Sequence, residues 1–373
     1  SSPTGTMTMT VNAVNDAPVN SLGTASAVNE DVANAITGST IADVDDTSMT
    51  SVQITADRGT FTLATSSATY NVGTQGTAAS TVTISGTVTN INVAIATITW
   101  TSATDDNTNA VITVVTTDSS SAADTDTIAI SVTAVNDAPA NAGDTAAVNE
   151  DTAYSAWGAG SDWGYTDVDS DTMVSITLVS QPSNGALTET NNACGGDGCA
   201  NGDVILLARL AAGDLIYTGT SNYNGADTFT YTTQDAALSS PTGTMTMTVN
   251  AVNDAPANAG DTAAVNEDTA YSAWGAGSDW GYTDVDSDTM VSITLVSQPS
   301  NGALTETNNA CGGDGCANGD VILLARLAAG DLIYTGTSNY NGADTFTYTT
   351  QDAALSSPTG TMTMTVNAVN DAP

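Results

Sequence analysis

Gly243-Thr-Met-Thr-Met-Thr-Val-Asn-Ala-Val252 has two faces: Met245, Met247, Val249 and Ala251 fall on one side, and Thr244, Thr246, Thr248 and Asn250 on the other. A period of two in hydrophobicity marks a half-buried β-strand, because successive side chains of an extended chain point to opposite sides. The same residues recur at 5–14 and 360–369, and Ile128, Ile130, Val132 and Ala134 keep the apolar face where the surrounding sequence has diverged.

Further strands are expected at Val52–Ile54, Thr60–Leu63, Val82–Ile84, Ile91–Trp100, Met173–Leu178, Val204–Leu207 and Asp227–Tyr231. Threonine dominates their outward positions, in keeping with β-propensity. Pro182-Ser-Asn-Gly185, Asn201-Gly202 and Asn224-Gly225 supply turns between them. With no amphipathic helical stretch evident, the expectation is all-β: a rod-like tandem array of immunoglobulin/cadherin-like antiparallel β-sandwich domains with little helix.

Residues 140–256 and 257–373 are identical, so the chain is a periodic array of domain-sized units. The expected organisation is a leader, 1–18, a diverged repeat, 19–139, and two identical repeats, 140–256 and 257–373. The leader matches Ser239–Pro256 and Ser356–Pro373. It reads either as the last strand of a preceding repeat, at the edge of a fragment, or as a strand donated to a neighbouring chain, since Met7, Met9, Val11 and Ala13 would otherwise lie exposed.

Against 41 acidic residues stand only Arg58, Arg209 and Arg326, giving a net charge of −38 with no lysine or histidine. That charge excludes nucleic acid and an anionic membrane surface as partners. It demands counterions, and divalent cations are the natural ones. Cys194 with Cys199 and Cys311 with Cys316 each enclose Gly-Gly-Asp-Gly and read as two local disulfides, implying an oxidising, extracellular or cell-surface setting. A zinc site would need more ligands than each pair offers. No segment is apolar for long enough to span a bilayer, and no signal peptide is evident, as expected of a stretch from within a secreted protein.

Three acidic clusters recur in register. Asn-Asp-Ala-Pro marks each boundary: Asn15-Asp16, Asn136-Asp137, Asn253-Asp254 and Asn370-Asp371. Asn-Glu-Asp follows, with Glu30-Asp31, Glu150-Asp151 and Glu267-Asp268. An Asp-Val-Asp loop comes next, at Asp43, Asp45 and Asp46, at Asp167, Asp169 and Asp171, and at Asp284, Asp286 and Asp288. Asp118, Asp235 and Asp352 close a late strand. In a stacked sandwich, the Glu-Asp pair of one unit would meet the Asp-x-Asp loop of the next across the boundary acid. Oxygen ligands at such density suit Ca²⁺, which takes six to eight oxygens. Asp and Asn also favour solvated turns, which would explain one such motif but less easily three in register.

Val-Asn-Asp-Ala-Pro, Asn-Glu-Asp-Thr, Asp-Val-Asp-Ser-Asp and Tyr223-Asn-Gly-Ala-Asp-Thr-Phe-Thr-Tyr231 resemble the tandem cadherin-like and immunoglobulin-like repeats of large bacterial surface proteins and adhesins. The resemblance covers nearly the whole chain, closely in the identical repeats and more loosely in 19–139, which lacks the Tyr-Asn-Gly-Ala-Asp stretch. In cadherins the boundary acids, an Asp-x-Asp loop and an early Glu share interdomain calcium, and the positions above match that scheme. The boundary here has Ala-Pro where a cadherin has a second Asn-x-Pro.

Trp157 and Trp163, repeated as Trp274 and Trp280, read first as packing at a sandwich end and alternatively as a glycan platform. Asp197–Asp203 resembles a calcium loop only superficially, since a cysteine takes a ligand position. Catalysis lacks a histidine, a lysine or a free thiol. The expected role is a calcium-rigidified extracellular rod, the stalk of an adhesin or the body of a surface fibre. Its expected partners are neighbouring repeats, further copies in a fibre, or a surface glycan or protein at a tip outside this chain. The rival is a glycan- or cell-binding adhesive module.

Overall fold

Strand Gly243–Asn250 lies where its alternation puts it, with Met245, Met247 and Val249 buried and Thr244, Thr248 and Asn250 exposed. Ala251 lies beyond the strand and is exposed. The computed structural model describes residues 4–158, 160–196, 198–275, 277–313 and 315–370. Gly243–Asn250 is the second strand of a five-stranded sheet ordered Asp144–Asn149, Gly243–Asn250, Gly225–Gln234, Ser175–Ser180 and Val204–Leu206. A three-stranded sheet of Ala153–Tyr154, Leu215–Gly219 and Gly185–Glu189 closes the sandwich. All these pairs are antiparallel except Asp144–Asn149 with Gly243–Asn250, which run parallel over six residue pairs. Residues 257–370 repeat this arrangement.

The diverged stretch has its own five-stranded sheet, Ala123–Ile130, Ala110–Thr117, Ser48–Ala56, Thr81–Thr87 and Thr69–Val72, facing Asn34–Thr37, Thr97–Thr101 and Thr60–Leu63. Its parallel pairing shrinks to Val28–Asn29 with Val132–Thr133. Ile128 and Ile130 are buried, Val132 is half-buried and Ala134 is exposed, so the expected core face runs out before the boundary. Each sandwich has a separate hydrophobic core, one within 28–130, one within 157–249 and one within 265–366.

Two expectations fail locally. Ile91–Trp100 is not one strand: Val88–Ile95 is a helix and only Thr97–Thr101 is extended. Thr87 caps the helix by accepting from the Asn90 N–H, and Ile91, Ala94 and Ile95 share one buried face at helical spacing. Leu207 likewise opens the short helix Leu207–Ala211 instead of ending a strand.

Trp157 and Trp163 pack with ring centres 5.2 Å apart and planes tilted by 35° inside the core, 4% and 0% exposed, with Trp163 edge-on to Tyr231. Trp274 and Trp280 repeat the arrangement. Buried rings present no surface to a sugar, so the platform reading is wrong and the packing reading holds. Residues 4–17 form no strand, and Met7, Met9 and Val11 are exposed.

Candidate metal centre at the joints

Three boundary dipeptides, Asn15-Asp16, Asn136-Asp137 and Asn253-Asp254, are clasped from below. Asn136 donates to Asp235 Oδ2 (2.9 Å) and to the Asp137 carbonyl (3.0 Å), while the Asp137 N–H donates to Asp169 Oδ2 (2.7 Å). From above, Val135 N–H donates to Glu30 Oε1 (2.8 Å). The next joint repeats this pattern: Asn253 to Asp352 (3.1 Å), Asp254 N–H to Asp286 (2.7 Å), and Val252 N–H to Glu150 (2.6 Å). At the top of the diverged unit, Asn15 donates to Asp118 (2.7 Å) and the Asp16 N–H to Asp45 (2.8 Å).

The Asp-x-Asp loop is shaped by its first acid. Asp167 Oδ1 accepts from the N–H groups of Asp169 and Asp171, and Asp284 does the same for Asp286 and Asp288. Asp43 accepts from Asp45 and Asp46. These local bonds are the ordinary reason for aspartate in a turn. Asp31, Asp151 and Asp268 adopt φ of 60°, 57° and 60°, a left-handed conformation that aspartate tolerates better than most residues. Turn geometry therefore explains these residue types, but not what lies between them.

Between them, carboxylates converge, and among the described residues the three arginines pair elsewhere, with Asp106, Asp214 and Asp331. One oxygen each from Glu30, Asp137 and Asp169 lies within 4.8 Å of the others, and likewise for Asp31, Asp105 and Asp137, and for Asp43, Asp46 and Asp118. Glu30 and Glu150 are each 2% exposed, and Asp118 is 1% exposed. Asp43 Oδ2, Asp137 Oδ2, Glu150 Oε2 and Asp254 Oδ2 are buried with no hydrogen-bond partner among the described residues. A buried carboxylate oxygen without a partner is costly.

Charge follows the same pattern. Desolvation, then the carboxylates of Asp105, Asp169, Asp31 and Glu30, raise the Asp137 carboxyl above the usual range. Asp254 is raised by desolvation and by Asp151, Asp286, Glu150 and Asp284. The flanking acids move the other way. Asp118 is lowered chiefly by the Asn15 amide, and Asp235 and Asp352 chiefly by the N–H groups of Leu238 and Leu355. Burial, then Asp167, pushes the Tyr165 hydroxyl up to about 12.

Glu267 accepts from Val369 N–H, and Asp268 from the Ser338 hydroxyl, at the bottom of the last sandwich. Asp371, also expected as a ligand, lies outside the described residues. Asp105 escaped the sequence reading: it sits below the strand Thr97–Thr101, and the identical repeats have Asn222 at the same place, so no shared motif marks it. Both cysteine pairs are disulfides, Cys194–Cys199 and Cys311–Cys316. Glu189 fills the first stapled loop, accepting N–H bonds from Cys194, Gly196 and Gly198.

A family model described as a bacterial Ig domain matches residues 136–248 and again 253–365. No curated protein matches the sequence. Among solved structures, the chain is similar to protocadherin gamma B2 extracellular cadherin domains 3–6, at 13% identity and a TM-score of 0.44, over 96% of this chain and 78% of that one. It is also similar to mouse cadherin-23 EC22–24, at 13% identity and a TM-score of 0.36, over 95% and 100%.

Proposed function

We propose that this chain, which belongs to the bacterial Ig domain family, is a calcium-rigidified extracellular rod, serving as an adhesin stalk or the body of a surface fibre. Its working units are the repeats 19–139, 140–256 and 257–373. The observation that carries the reading is the set of buried carboxylate oxygens at the joints that have no hydrogen-bond partner among the described residues, Asp137 Oδ2 at one and Glu150 Oε2 and Asp254 Oδ2 at the other.

The donor set fits Ca²⁺: it is all oxygen, with carboxylates and neighbouring backbone and Asn carbonyls, and contains no imidazole or thiolate. Bound calcium would supply the positive charge these sites lack. Glu30, Asp31, Asp105, Asp137, Asp167, Asp169 and Asp235 would hold it at the first joint. Glu150, Asp151, Asp254, Asp284, Asp286 and Asp352 would do so at the second, and Asp16, Asp43, Asp45, Asp46 and Asp118 would form the lower half of a further site.

Ligands from two sandwiches and from the dipeptide between them turn a bendable linker into a fixed one. The disulfides support an oxidising, extracellular location. Thermal unfolding of the chain in millimolar calcium and in excess chelator tests this reading. A midpoint higher by roughly 10 °C in calcium is expected, since a ligand that binds only the folded state stabilises it by mass action. Superimposable curves would leave the acids as solvated turns.

A further inference from the structure

The two joints are built from the same motifs but differ in the loop beside the early Glu-Asp pair, Thr104-Asp105 at the first and Ser221-Asn222 at the second. Asp105 in the diverged unit and Asn222 in the first identical repeat occupy equivalent places: φ is 56° at one and 57° at the other. The Asp105 N–H donates to Asp31 (3.2 Å), and the Asn222 N–H to Asp151 (3.4 Å). Asp105 lines the cleft of the first joint with Asp137 and Asp167, and Asn222 lines that of the second with Asp254 and Asp284.

The consequence is electrostatic. At the first joint, Asp137 belongs to two carboxylate groups at once, one with Glu30 and Asp169 and one with Asp31 and Asp105. At the second, the partner facing Asp151 is a neutral amide residue, and the Ser221 hydroxyl lies within reach of both Asn222 Oδ1 (2.8 Å) and Asp151 Oδ1 (3.2 Å). The buried orphan oxygens Asp137 Oδ2 and Glu150 Oε2 mark both joints as sites that want a cation.

We propose, building on the calcium reading above, that the joints are graded. The first has an additional calcium position formed by Asp31, Asp105 and Asp137 and loads at lower calcium. The second loads later and is where the rod bends as calcium falls. Ligand charge count tunes the affinity of such oxygen sites over orders of magnitude, so one carboxylate is worth about tenfold. Without calcium the ranking reverses, because the joint with more carboxylate has more like-charge repulsion.

The test is calorimetric calcium titration of the full chain, first stripped with chelator, for wild type, Asp105→Asn and Asn222→Asp. Aspartate and asparagine both tolerate the left-handed backbone at these positions, so both variants keep the fold. Wild type should show more than one affinity class. Asp105→Asn should weaken the tightest by about tenfold, and Asn222→Asp should tighten a weak one by about as much. In chelator the signs invert: Asp105→Asn raises the unfolding midpoint and Asn222→Asp lowers it. Calcium binding in a single class, unmoved by either substitution, would overturn the grading while leaving the calcium rod intact. Absence of binding in all three chains would overturn both.

Discussion

Glu189 shows how one carboxylate organises a loop whose Ala193 and Cys194 are anchored in the core. It accepts N–H bonds from Cys194, Gly196 and Gly198, and these, led by the Cys194 bond, hold its carboxyl below the usual range. A carboxyl lowered in the folded state contributes stability above its unfolded value and loses it as pH falls through the folded one. Replacing Glu189 and its copy Glu306 with glutamine should therefore lower the thermal midpoint at neutral pH, and the deficit should shrink as pH falls below the ordinary glutamate value of about 4.3. A deficit that does not change with pH would mean the loss is one of shape. The recurrent acids of the joints were legible in the sequence because they repeat in register. Asp105 was not, because repetition can reveal only what the units share, and here they differ.

Two segments separate what periodicity reveals from what it hides. Gly243–Asn250 alternates strictly and has no competing reading, so its buried face was legible. Val88–Ile95 contains Ile91, Val93 and Ile95 at strand spacing and Ile91, Ala94 and Ile95 at helical spacing; the Thr87 cap decides for the helix. Thr87→Ala should cost about 1 kcal/mol, measured by denaturant unfolding. The tryptophans are a harsher test of packing. Trp163→Ala, at a fully buried position, should destabilise its sandwich by about 3–5 kcal/mol. Phenylalanine substitutions should distinguish the two rings. The Trp157 Nε1–H donates to the Leu215 carbonyl, whereas that of Trp163 has no partner among the described residues. Trp157→Phe should thus cost more than Trp163→Phe, because it alone strands a buried acceptor.

At the scale of the whole molecule, a chain of net charge −38 holds its sandwiches end to end through joints lined with carboxylate. Repulsion within each joint favours separation, and shared cations would reverse it. The fold class was legible because strand alternation and turn residues are local. The pairing of Glu30 with Asp169 across a boundary follows only once stacking is assumed, since those residues are far apart in sequence and belong to different sandwiches. The most direct test of the central claim is small-angle X-ray scattering from the full chain at fixed ionic strength, with the maximum dimension followed in calcium and in excess chelator. The account predicts a long, stiff particle in calcium that becomes shorter on average and more broadly distributed when calcium is removed. The same profile in both solutions would contradict it.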